Sequence, residues 1–153
     1  MKNFKNKIAV VTGGGTGMGR ELVRQLAAEG CHVAMCDVIQ ENMEETFEIV
    51  SKECPNIRVT KHICDVSDEE QVLLFKDEVI DQHDTSVINL LFNNAGIGGG
   101  GSFVEGSREE WERCFAVCWY GVYYCSRAFM EYIVASDEGH IINTSSVNGF
   151  WAT

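Results

Sequence analysis

A chain of 153 residues, 45% of them hydrophobic and only one a Pro, has the size and composition of one compact domain rather than a disordered tail. Its net charge of −11, with 12 Lys and Arg scattered among 23 Asp and Glu, opposes binding to nucleic acid or an anionic membrane, since both need clustered cations to replace counterions. The Lys- and Asn-rich start leads into an apolar run too short for a signal-peptide core or a membrane span, so a cytoplasmic protein is expected.

In chain order, Lys7 to Thr12 is an apolar run ending in glycines, and Met18 to Glu29 carries Leu22, Val23 and Leu26 at helical spacing before Gly30 closes it. The pattern strand, loop, helix then recurs: a strand from His32 to Cys36, a helix from about Glu41 to Glu53, a turn at Pro55, a strand from Arg58 to Cys64 and a helix from Glu69 to Ile80. Ser67 with Glu70 has the spacing of a capping box at the start of that last helix. Val87 to Phe92 is the fourth strand, followed by a loop with glycines at 98 to 101, and Ser107 with Glu110 opens one long helix toward Ala135. His140 to Thr144 is the fifth strand.

Five strands alternating with four helices predict an α/β fold, a Rossmann-type doubly wound parallel sheet covered on both faces. With no linker, repeat or extended low-complexity tract, residues 1–153 read as one domain. The seven cysteines (31, 36, 54, 64, 114, 118, 125) contain no C-x-x-C pair and no adjoining His pattern, so they read as reduced, mostly buried thiols with no metal site.

The chemistry concentrates at strand ends. Thr12-Gly13-Gly-Gly15-Thr16-Gly17-Met18-Gly19 joins the first strand to the first helix, where backbone N–H groups and the helix dipole can hold a pyrophosphate that larger side chains would keep away. A ligand-free glycine turn is the other reading of those residues. Asp37 follows the second strand, 20 residues after Gly17, where a carboxylate can accept the adenosine ribose hydroxyls and repel a 2′-phosphate, favouring NAD over NADP. A strand-end Asp that merely caps a turn is the alternative there.

The spacing Thr12-Gly13-x-x-x-Gly17-x-Gly19 resembles that of the short-chain dehydrogenase/reductase family. Asp65-Val66 after the third strand is similar to the family's adenine contact. Asn93-Asn94-Ala95-Gly96 after the fourth is similar to its N-N-A-G element, and Ile141 to Gly149 resembles its fifth strand and serine segment. The resemblance implies a strand order beginning 3-2-1-4-5 and hydride transfer between a nicotinamide and an alcohol or ketone. It places Ser146 at the serine that hydrogen-bonds the developing oxyanion. It also implies a homo-oligomer, with the long helix from Ser107 contributing to a dimer interface.

Two departures stand out. Where the family carries Asn-x-x-Gly in its long helix, this chain reads Cys118-Trp-Tyr-Gly121, and a thiol is a poor substitute for an amide in a proton relay. The family's Tyr-x-x-x-Lys, which lies beyond the serine segment, does not occur in these 153 residues. Tyr123-x-x-x-Arg127 copies its spacing only, in the helix before the fifth strand, and Tyr123 and Tyr124 read as packing or subunit-contact residues. The expectation is therefore an incomplete form of the enzyme, inactive on its own. The rival is a non-catalytic dinucleotide-binding or interaction module.

Overall fold

The computed structural model describes residues 2–99, 102 and 104–147. Five parallel strands, β1 (Ile8–Thr12), β2 (His32–Asp37), β3 (Val59–Ile63), β4 (Leu90–Asn93) and β5 (His140–Asn143), form one sheet in the order β3-β2-β1-β4-β5. The crossovers are α1 (Gly17–Ala28), α2 (Gln40–Glu53), α3 (Glu69–His83) and a fourth helical unit that is not continuous. Expected as one helix, that unit consists of α4 (Arg108–Phe115), a π-helical stretch over Ala116–Tyr120 and α5 (Gly121–Val134). No helix among the described residues is long and apolar enough to cross a membrane.

The sheet is buried on both faces because its inner strands are apolar at consecutive positions rather than alternately. Val10, Ala34, Cys36 and Leu91 face α3 and α5, where Phe75 and Phe129 meet edge to face with centroids 5.6 Å apart. Ala9, Val11, Val33, Met35 and Leu90 face α1 and α2, meeting Val23, Leu26, Met43 and Val50. β5 differs: Ile141 is half-buried while His140, Ile142 and Asn143 are exposed.

The helix starts hold one correction. Asp68, not Ser67, caps α3, its Oδ1 accepting from the N–H groups of Glu70 and Gln71 at 3.0 and 3.2 Å. The Ser67 hydroxyl instead donates to Asp65 Oδ1 at 2.6 Å. A carboxylate one residue further on takes the cap because its charge also meets the positive end of the helix. Ser107 does cap α4, accepting from Glu110 N at 3.1 Å.

Candidate cofactor site and active site

The centre of the site is the hydroxyl of Thr12 at the end of β1. It accepts from Asn94 N at 3.0 Å and Ala95 N at 2.9 Å, and so satisfies two backbone donors of the turn that follows β4. Asn94 returns the contact, its Nδ2 donating to the Thr12 carbonyl at 3.0 Å. One side chain from each loop thus ties the glycine loop to the Asn93–Gly96 turn.

The glycine loop is shaped by steric necessity at two positions. Gly13 has φ +67, a left-handed conformation that costs L side chains energy. At Gly19 a Cβ would fall 1.9 Å from the Gly13 carbonyl oxygen, so the first turn of α1 lies directly against the loop. Thr16, the N-cap, makes no side-chain capping bond, and the first turn of α1 contains no acidic residue. The helix end is therefore left uncapped by its own side chains and electropositive, which fits a pyrophosphate group.

Asp37 is bound to this loop. Its Oδ2 accepts from Gly15 N at 3.0 Å and its Oδ1 from Ile39 N at 3.2 Å. Arg20, the basic residue nearest the loop in sequence, turns inward: Nη2 donates to the Gly15 carbonyl at 2.7 Å and pairs with Glu45 at 2.7 Å, while Nε donates to Thr46 Oγ1 at 3.0 Å. Thr46 Oγ1 donates in turn to the Gly15 carbonyl at 2.9 Å. Sequence reasoning missed this bracket from α2. Its signal was Thr46, a polar residue at helical spacing from Met43 and Val50 on the apolar face of α2.

The Asp65 carboxylate is engaged locally, Oδ1 accepting from Ser67 N and Oγ. Val66 is 5% exposed, and a Cβ at Gly121 would meet its Cγ2 at 2.7 Å, so its side chain is packed against the start of α5. Asn93 is buried. Its Nδ2 donates to Ser126 Oγ at 2.9 Å and Asn143 Oδ1 at 2.8 Å, holding β4 to α5 and to β5. The Ser126 and Asn143 partners were also missed, because the packing of α5 on the sheet and the pairing of β4 with β5 bring residues 33 and 50 positions away onto one amide.

Cys118 lies in the π-helical stretch and is exposed, its thiol 3.6 Å from the Ile97 carbonyl oxygen. A Cβ at Gly96 would stand 3.8 Å from that sulfur, so the structure does bring Cys118 beside the Asn93–Gly96 turn. Single-turn π insertions recur at functional sites, where they re-aim one side chain. Ser146 is exposed beyond the end of β5, on a segment anchored by Thr144, whose N–H bonds the Asn93 carbonyl at 3.0 Å and whose hydroxyl reaches Asn94 Oδ1 at 3.3 Å. Asn148 and Gly149 of the serine motif lie outside the described residues. Tyr123 and Arg127 bond each other at 2.8 Å on the exposed face of α5, as an i,i+4 surface pair.

Among the described residues no three His, Cys, Asp or Glu side chains are grouped to hold a metal ion. A 670 Å³ groove between α3 and α5 is lined by Lys76, Tyr124 and Arg127 among others, and no residue of the glycine loop borders it.

The profile of the family described as short chain dehydrogenase matches residues 7–153. Meso-2,3-butanediol dehydrogenase of Serratia marcescens is 35% identical over 95% of this chain and 55% of its own length. A short-chain dehydrogenase/reductase of Burkholderia phymatum, solved in complex with NAD, superposes with a TM-score of 0.91 at 32% identity, covering 100% of this chain and 53% of that one. A metagenomic short-chain oxidoreductase in complex with NADP gives 0.86 at 30% identity, over 95% of this chain and 65% of that one. The chain spans about half the length of the curated relatives it matches. Matched over nearly all its residues by the family profile, and carrying the family's glycine loop and turn on the family's sheet, this chain belongs to the short-chain dehydrogenases.

Proposed function

We propose that this chain is the dinucleotide-binding part of an NAD-dependent oxidoreductase acting on an alcohol or ketone. The observation that carries the cofactor choice is Asp37: its carboxylate stands against Gly15 N, while Arg20, the basic residue nearest the loop in sequence, is committed to Gly15, Thr46 and Glu45. A 2′-phosphate there would face a carboxylate with no free cation to offset it, whereas ribose hydroxyls can donate to the carboxylate's remaining lone pairs.

The bound nicotinamide supplies the hydride acceptor or donor. The chain's own residues do the rest of what is assigned to it. The N-terminus of α1 and the loop N–H groups beyond Gly15 hold the pyrophosphate, with Gly13, Gly17 and Gly19 letting it approach, while Gly14 N and Gly15 N are taken by the Cys36 carbonyl and Asp37. Asp65 and the Val66 backbone border the adenine, Asn94, Ala95 and Gly96 line the nicotinamide side, and Ser146 hydrogen-bonds the substrate oxygen as charge develops on it. The acid/base that moves the hydroxyl proton is not among these 153 residues. A cytoplasmic homo-oligomer belongs to the same reading, supported by the exposed Phe115, Trp119, Tyr120 and Tyr123 along the α4–α5 unit.

Calorimetric titration with NAD(H) and NADP(H) tests the reading. NAD(H) is expected to bind more tightly, and Asp37→Ala to narrow the gap by about tenfold or more, the equivalent of about 1.4 kcal/mol. Equal or tighter NADP(H) binding by the unaltered protein refutes the preference. Binding of neither dinucleotide refutes the function.

A further inference from the structure

The seven cysteines read as independent thiols in the sequence, yet the structure brings two accessible ones to one point, whereas Cys36 meets Cys64 inside the core. Cys114 lies in the last turn of α4 and Cys118 four residues on, within the π-helical stretch, where either winding places residues four apart one above the other. Their sulfurs lie 4.0 and 3.6 Å from the same oxygen, the Ile97 carbonyl. Cys114 is half-buried and Cys118 exposed, whereas Cys31, Cys36, Cys64 and Cys125 are sealed in the core. Burial and then the charge and hydrogen bond of Cys118 push the Cys114 thiol above its ordinary pKa, as expected when one thiolate opposes the formation of another beside it.

We propose that Cys114 and Cys118 form a two-thiolate site for a soft monovalent cation of the Cu(I) type. Binding breaks two S–H bonds, releases two protons to solvent and forms two Cu–S bonds; copper remains Cu(I), and no electron is transferred. The cation removes the repulsion that opposes the second ionisation, because both thiolates then face a positive charge. Zinc fits less well. It takes four ligands, and among the described residues no third His, Cys, Asp or Glu joins the pair. A d10 cation that accepts two sulfur ligands needs no more than the pair offers, and thiolates select such soft ions. The site lies beside Gly96 and stands whether or not the redox reading holds, since it needs only the two thiols and the backbone that aims them.

The test is anaerobic competition for Cu(I) between the purified protein and a chromophoric chelator, with copper as the sole probe. One equivalent is expected to bind, with two sulfur neighbours by X-ray absorption. Removing one sulfur leaves a single-point ligand, so Cys118→Ser and Cys114→Ser should each weaken binding by about 10²–10⁴-fold, the usual scale for losing one arm of a linked pair. Cys54→Ser should leave binding unchanged. Cys118→Ser keeps the test sound if Cys114→Ser disturbs packing, because the Cys118 side chain is exposed; circular dichroism of each variant checks the fold. No competition by the unaltered protein, or undiminished binding by folded Cys118→Ser, overturns the proposal.

Discussion

Acidification should destabilise the protein through His83, more steeply than its carboxylates alone would allow. His83 ends α3, is 5% exposed, and its Nε2 lies 3.0 Å from Thr60 Oγ1. The same hydroxyl lies 2.9 Å from His62 Nε2, and His62 Nδ1 lies 2.7 Å from Glu78 Oε2. One assignment of protons satisfies this chain: His62 donates from Nδ1 to Glu78, Thr60 donates to His62 Nε2, and His83 donates from Nε2 to Thr60. That leaves His83 Nδ1 as a bare lone pair, and it is buried with no partner. A second proton on the His83 ring would have nothing to donate to, and burial followed by the charges of Arg58, His32 and His62 holds its pKa down to about 4 from the usual 6.5.

Above pH 6.5 the ring is neutral in both folded and unfolded chains and the stability is whole. Below it the unfolded chain takes up a proton that the folded one refuses, so stability falls at up to about 1.4 kcal/mol per pH unit until the folded ring protonates near pH 4. The accumulated loss reaches at most about 3 kcal/mol. Urea unfolding of the protein and of His83→Leu between pH 7.5 and 4 isolates the effect, because the lowered His32 and His62 and all carboxylates are common to both. The difference in stability should shrink or reverse as pH falls, and the His83 ring should titrate near pH 4 by NMR. Parallel stability curves, or a His83 ring titrating near 6.5, would refute the reasoning.

Gly19→Ala should abolish measurable dinucleotide binding while the sheet survives, read by calorimetry and circular dichroism, because its Cβ would fall 1.9 Å from the Gly13 carbonyl oxygen and force the loop off α1. Cys118→Asn should change stability by less than about 0.5 kcal/mol in urea unfolding, since the side chain is exposed; unfolding on that change would show that residue 118 is a packing position. Ile142→Lys should lower self-association in analytical ultracentrifugation, because among the described residues β5 pairs only with β4 and Ile142 is 36% exposed on a strand edge.

Much of the frame was legible because buried parallel strands write themselves as short apolar runs. Ile8 to Thr12 and His32 to Cys36 need no tertiary information to be read as strands, and the strand order followed from the resemblance rather than from the runs. The helical unit over residues 108–134 was read as unbroken because π and α windings place apolar residues at nearly the same spacing, so Cys118 carried no sign of its altered register. The cap at Asp68 was missed because Ser67 and Asp68 both offer an oxygen at a helix start, and only the contact of Ser67 with Asp65 decides between them. At the site, the glycines, Asp37 and Thr12 were legible from position. The contacts that hold them, Arg20 and Thr46 on Gly15, and Ser126 and Asn143 on Asn93, depend on which elements the crossovers bring together. That Cys114 and Cys118 are neighbours follows from their spacing of four, but their shared approach to the Ile97 carbonyl belongs to the same class, set by a loop whose path no periodicity records.

The pairing of β1 with β4 joins residues some eighty positions apart, as in Ala9 with Leu90 and Val11 with Phe92. On a ribosome adding 5–20 residues per second, β1 therefore waits about 4–16 s for its second neighbour. Within that interval β1 and β2 can pair, and β3 joins them once residues 59–63 are made, but the Val10 face lacks α5 and the second edge of β1 stays open. The most apolar strand of the protein, central in the finished sheet, thus begins with one edge unpaired. Slow translation through residues 40–90 would lengthen the time that the β1 edge stays bare and the chance that two nascent chains join there, whereas changes in translation speed after β4 has emerged would act on the cover that α5 gives the Val10 face and not on that edge.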